Sequence, residues 1–126
     1  MFDHVKFGVR SYAKSRDFYA KALEPIGVTV ITDWPPNGAE LSQPDGISSL
    51  CLFETDETPA QLHIAFVAKS RHEVDAFHDA AIKAGGQDNG PPGIRPQYSG
   101  QYYAAFVFDP DGHNIEVVCH EEDAAT

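Results

Sequence analysis

The sequence is poor in positive charge: nine Lys and Arg stand against nineteen Asp and Glu, for a formal net charge of -10. General nucleic-acid binding wants a basic surface, so no nucleic-acid partner is expected. The acidity serves solubility instead. No apolar run approaches the roughly 20 residues that a membrane helix requires, so no membrane partner is expected either. The N-terminal stretch "MFDHVKFGVR" lacks the basic-then-apolar order of a secretion signal, and a cytoplasmic location is the expectation. Cysteine is scarce too. Cys51 and Cys119 lie in apolar, strand-like runs with no CxxC pair, and are read as free, buried thiols rather than a disulfide. There is no Gly-rich phosphate loop, no nucleophile elbow and no zinc-finger spacing, which removes three common chemistries.

What is present is an internal repeat. The 126 residues suit one domain, 1–126, with a real core. A shift of 59 positions lays His4 on His63, Phe7 on Phe66, Ser11 on Ser70, Phe18 on Phe77, Ala22 on Ala81 and Gly27 on Gly86. Val5 then meets Ile64 and Leu23 meets Ile82, both chemically close. "HVKFGV" and "HIAFVA" read as strands. Each is followed by a serine that can cap a helix. "SRDFYAKALEPIG" and "RHEVDAFHDAAIKAGG" carry four-residue apolar spacing and close on glycine, the expected left-handed cap. A second match, "PDGISSLCLF" on "PDGHNIEVVC", needs a shift of 66. The difference of seven falls in "DNGPPGIRPQYSGQYY", which reads mainly as a loop, with one weak strand near Gln87. The other strand candidates are 5–10, 28–33, 39–42, 49–54, 62–68, 103–108 and 114–120. The order is βαβββ twice, in modules of about 1–58 and 59–122, an α+β fold.

Strand alternation sorts the side chains by face. Val5, Phe7 and Val9 share the helix side of the first strand, and His4, Lys6 and Arg10 the other. Ile64 and Phe66 face the second helix, whereas His63 points away. In the last strand, Glu116, Val118 and His120 share a face. His4, His63 and Glu116 are thus three potential ligands on the helix-free faces, two of them at equivalent places in the repeat. A carboxylate in an apolar strand needs a partner, because desolvating a charge costs several kcal/mol. A divalent metal is one such partner, and two imidazoles with a carboxylate are a common set that leaves positions open. Lys6 or Arg10 paired with Glu116 is the bland alternative, with both histidines simply packed. His120 lies roughly 13 Å along the strand from Glu116, too far to share an ion. His72 and His78 on the second helix are not assigned as ligands.

"DHVKFGV", "SRDFYAKAL", "HIAFVA" and "FVFDPDGHNIEVV" together resemble the vicinal oxygen chelate superfamily, which comprises glyoxalases, bleomycin-resistance proteins and extradiol dioxygenases. The resemblance spans residue 1 to about 120. It implies two tandem βαβββ modules forming a curved mixed sheet around a central cleft. It also implies a divalent metal (Fe, Mn, Zn or Ni) on His4, His63 and Glu116. Substrate oxygens chelated to that metal would undergo lyase, dioxygenase or transferase chemistry. Glyoxalase-type sites often add a carboxylate from the last strand of the first module. The 66-residue shift puts Leu50 there, which argues against true glyoxalase I activity and leaves a three-ligand pattern.

Tyr98, Tyr102 and Tyr103 with Arg95, in and beside the long second-half loop, are candidates for a lid and for contacts to a small-molecule substrate, with Tyr103 favoured although either face of its strand could be the cleft. Packing against the sheet or a partner subunit is the alternative. Trp34 reads as an edge or interface aromatic. No general base is identified. The rivals are a metal-free protein that sequesters a small aromatic or drug-like molecule, and a scaffolding dimer. A homodimer fits every reading, because half-open sheets leave edges to cover.

Overall fold

Each repeat folds as its apolar spacing requires. A computed structural model describes residues 1–122. The first module comprises β1 (His4–Val9), α1 (Tyr12–Ala22), β2 (Thr29–Trp34), β3 (Gly38–Ser42) and β4 (Ser49–Glu54). The second comprises β5 (His63–Val67), α2 (Arg71–Lys83), β6 (Gln87–Ile94), β7 (Tyr103–Phe108) and β8 (Asn114–Cys119). The strands make two separate four-stranded sheets, ordered β1-β4-β3-β2 and β5-β8-β7-β6. In each, the first strand runs parallel to the last and the remaining pairings are antiparallel. β1 and β5 are therefore edge strands, each with one row of backbone groups that its own sheet leaves unpaired.

The helices start where the serines predict. Ser11 accepts from the Lys14 amide at 3.3 Å, and Ser70 from the Glu73 amide at 3.1 Å. Their ends differ from expectation. A 3-10 turn, Glu24–Ile26, follows α1, and Gly27 caps that turn at φ 83°. After α2 the left-handed residue is Gly85, at φ 99°, rather than Gly86. Gly86 answers to packing: a Cβ there would collide with the Val107 side chain, lie 2.8 Å from the Phe18 ring and 2.9 Å from the Ala81 carbonyl oxygen.

The proline-rich stretch also departs from the loop reading. Its first half is the eight-residue β6, paired with β7 through two register shifts. An outer strand with irregular register tolerates Pro91 and Pro92, which have no amide to donate.

One core serves both modules. Phe7, Val9, Phe18, Leu23, Leu50 and Leu52 pack in the same cluster as Val74, Phe77, Val107, Ile115 and Val117. The helices lie against each other and against the sheets, α1 on β3 and β4, α2 on β6, β7 and β8. A polar clamp adds to this joint at the β7–β8 turn. The buried Tyr19 hydroxyl donates to Asp109 Oδ2. Asp109 Oδ1 accepts from the Asp111 and His113 amides at 2.9 and 2.8 Å. His113 Nδ1 accepts from the Leu62 amide at 2.9 Å, and its ring meets Phe7 edge-on at 5.6 Å.

Candidate functional site

Glu116 sits third in β8, its Cα opposite Ala65 of β5 and Phe106 of β7. Its side chain points to the face of the sheet that α2 does not cover, yet Glu116 is only 2% exposed. Such a carboxylate must be satisfied, and two side chains do so. His63, diagonal to it on β5, donates from Nε2 to Oε1 at 2.8 Å. The Tyr102 hydroxyl donates to Oε2. Burial, and then the Glu116 carboxylate, push the Tyr102 phenol up to about 12, so it stays a donor at neutral pH. Tyr102 is framed by the Tyr98 ring at 4.8 Å and the His120 ring at 5.2 Å. The His63 side chain is 54% exposed and approaches Phe106 at 6.2 Å between ring centroids.

His4 is placed differently. It lies at the start of the edge strand β1, and its Nδ1 donates to Asp3 at 2.7 Å. Its side chain is also 54% exposed. His4 and His63 border the same crevice, of about 530 Å³, which runs between β1, β5 and the Gln43–Ser49 turn. Val5, Ile26, Leu41, Leu50, Ile64 and Phe66 supply its apolar walls. Among the described residues no three His, Cys, Asp or Glu side chains converge as a metal set. One chain therefore joins His63 to Glu116 but does not bring His4 to them.

The joined pair has the donor chemistry of a half-site. A neutral imidazole nitrogen and a carboxylate oxygen are hard-to-borderline donors that suit Zn, Ni, Mn or Fe. The proton that Nε2 donates to Oε1 would have to leave for that nitrogen to ligate an ion.

The other candidates separate. Tyr103 faces the helix side, where its hydroxyl donates to Asp75 at 2.6 Å and the Arg71 guanidinium lies 5.1 Å from its ring. Arg95 spends its N–H groups on Gly93 and Pro91 carbonyls at 2.9 and 2.7 Å, and stacks over Phe106 at 5.3 Å. It therefore reaches the helix-free face through Phe106, while pinning the outer strand. Tyr98 is 63% exposed, beside Tyr102. Lys6 lies over the Trp34 and Phe53 rings at 5.3 and 5.5 Å, so it does not pair with Glu116.

Tyr102 is the tyrosine that bonds Glu116, where the sequence favours its neighbour Tyr103. Alternation puts Tyr102, Ala104 and Phe106 on one face of β7 and Tyr103, Ala105 and Val107 on the other. Choosing between the faces needs the β7–β8 register, in which Phe106 stands opposite Glu116.

That register logic also revises the repeat. Lys6 pairs with Cys51 as Ala65 pairs with Glu116, so the first-module counterpart of Glu116 is Cys51, not Leu50. The offset is 116 − 51, or 65. Leu50 belongs to the helix-side core, and Cys51 stands on the helix-free face beside Lys6 and Glu40.

No curated protein matches the chain. A glyoxalase/bleomycin resistance protein from Albidiferax ferrireducens T118 is 28% identical in sequence and superposes with a TM-score of 0.78, over 94% of this chain and 98% of that one. An enzyme of the glyoxalase/bleomycin resistance protein/dioxygenase family from Burkholderia phytofirmans PsJN shares the fold at 17% identity and a TM-score of 0.74, over 94% and 98% of the two chains. TioX from Micromonospora sp. ML1 does so at 16% identity and 0.73, over 96% and 99%. The family's sequence profile matches residues 1–117. By that match, and on the paired modules just described, the chain belongs to the Glyoxalase/Bleomycin resistance protein/Dioxygenase superfamily.

Proposed function

We propose that the protein is a metal-dependent enzyme acting on a small molecule, with His63 and Glu116 of one chain and His4 of a second copy holding a divalent ion. The observation that carries this reading is the His63–Glu116 pair, a solvent-facing imidazole tied at 2.8 Å to a buried carboxylate. His4 supports the second copy. It lies on an unpaired edge strand, and its Nε2 accepts nothing among the described residues. β5, which carries His63, is an edge strand as well. Phe2 and Val67, 65% and 66% exposed, rim the crevice beside these edges. Covering them against a second copy removes apolar surface from water and closes both open edges.

The ion, when bound, supplies Lewis-acid polarisation of adjacent substrate oxygens. The chain's own residues do the rest. Glu116 keeps its place because burial and Tyr102 leave it one orientation. Phe106, with Arg95 over it, gives the site an apolar wall. Tyr98 offers a hydroxyl to the substrate beside Tyr102.

The test is elemental analysis of tag-free protein with a complementation arm. The wild type should carry about one divalent ion per chain, and His4→Ala and His63→Ala should each carry almost none while still unfolding cooperatively. When the two variants are unfolded together and refolded, half the dimers are mixed, and each mixed dimer has one intact site. Metal should return to about a quarter of the wild-type content. No return would place all three ligands in one chain, and metal retained by His63→Ala would overturn the assignment.

The rival is a metal-free small-molecule binder. It is favoured by the mutual satisfaction of His63, Glu116 and Tyr102 without an ion. Failure of wild-type protein to take up Fe, Mn, Zn or Ni on reconstitution would select it.

A further inference from the structure

The two oxygens of Glu116 are in unequal company. Oε1 faces His63, whose side chain is half in solvent. Oε2 faces the Tyr102 hydroxyl, on a residue wedged between the Tyr98 and His120 rings. The Tyr102 backbone is tethered too: its carbonyl accepts from the Arg95 amide at 2.7 Å, at the mouth of the β6–β7 connection. One oxygen is thus held by a yielding partner and the other by a fixed one. A carboxylate free at both oxygens can grip an ion with one or with two, and the choice sets how many positions remain for substrate.

We infer that Tyr102 is a positioning residue that reserves Oε2, so that Glu116 meets a metal through Oε1 alone. The inference rests on the metal reading above and deepens it. Tyr102 touches neither the ion nor the substrate. Its hydroxyl fixes the carboxylate plane, and a bound ion would be held by Oε1 together with His63 Nε2. Partners of this kind around a ligand are worth about 10- to 100-fold in metal affinity.

The experiment is Co(II) titration, followed by visible absorption, of wild type, Tyr102→Phe and Tyr103→Phe. Phenylalanine keeps the ring that packs against Tyr98 and His120 and removes only the donor. Tyr103→Phe is the control, since it deletes a neighbouring hydroxyl on the other face of the sheet. Tyr102→Phe should bind Co(II) about 10- to 100-fold more weakly. Its bound spectrum should be less intense, as Oε2 joins the ion and raises the coordination number. A structural role alone would lower the melting temperature of both variants but leave the bound spectrum at wild-type shape. Wild-type affinity and spectrum in Tyr102→Phe would overturn the inference while leaving the metal reading standing. A wild-type protein that takes up no Co(II) would overturn the metal reading, and this inference with it.

Discussion

At the scale of single residues, charge is managed locally. Asp33 at the tip region of β2 accepts from Arg16 Nε at 2.8 Å and Nη2 at 3.0 Å, and from the Tyr12 hydroxyl. The Arg16 bonds first, and then Tyr12, hold its carboxyl down at about 2. A carboxyl lowered on folding stabilises the fold above its unfolded pKa near 4, and that contribution is lost as pH falls through about 2. Arg16→Ala should move the Asp33 titration up toward the ordinary carboxylate range in a carbon-detected NMR titration. Because the group is exposed, the melting temperature at pH 7 should change little. At this scale the repeat singles out His63 and the apolar strand singles out Glu116, and the fold puts the two in contact. Tyr102 could be named among the loop tyrosines but not placed: its face depends on a hydrogen-bond register that alternation alone leaves open. The same gap led Tyr103 to be preferred, although it bonds Asp75 under the helix.

Elements were readable where period and caps agree. Most strands lie within a residue or two of the sequence reading, because β-branched runs act locally; both helices stop short of the glycines read as their ends, α1 at Ala22 and α2 at Lys83. β6 was largely hidden. A strand holding Pro91, Pro92 and three glycine or asparagine neighbours has little intrinsic preference, and only pairing with β7 makes it a strand. Gly86 shows the converse, a residue whose match in the repeat suggested a cap but whose reason is close packing of α2, β7 and α1. Gly86→Ala should therefore destabilise the protein by about 1–3 kcal/mol, the range for an overfilled core. Urea unfolding at neutral pH measures it. Gly85→Ala should also destabilise, by about 1 kcal/mol through backbone strain at its positive φ. A Gly86→Ala variant as stable as wild type would mean that Val107 and Phe18 repack freely.

At the scale of the whole molecule, the two modules share one core. A single, probe-independent transition is expected in denaturant. Tyr19→Phe strips the Asp109 carboxylate of its cross-module donor, and should lower stability by about 1–3 kcal/mol without splitting that transition. Two resolved transitions would show that the modules fold alone. The paired-module architecture followed from the repeat, and family membership agrees with it. The separation of His4 from the His63–Glu116 pair could not follow from the sequence. The repeat says that two strands are alike, but not how far apart the fold sets them.

The repeat is kept in the backbone and broken in the side chains. The 59-residue shift carries Tyr19 onto His78, which turns to Asp88 of its own module at 2.8 Å. It carries Phe7 onto Phe66, which lines the crevice where Phe7 meets His113. One end of the seam between modules is latched and the other stands ajar. The chain has therefore given up interchangeable halves for polarity: a buried polar clamp at one end of the seam and an open crevice at the other.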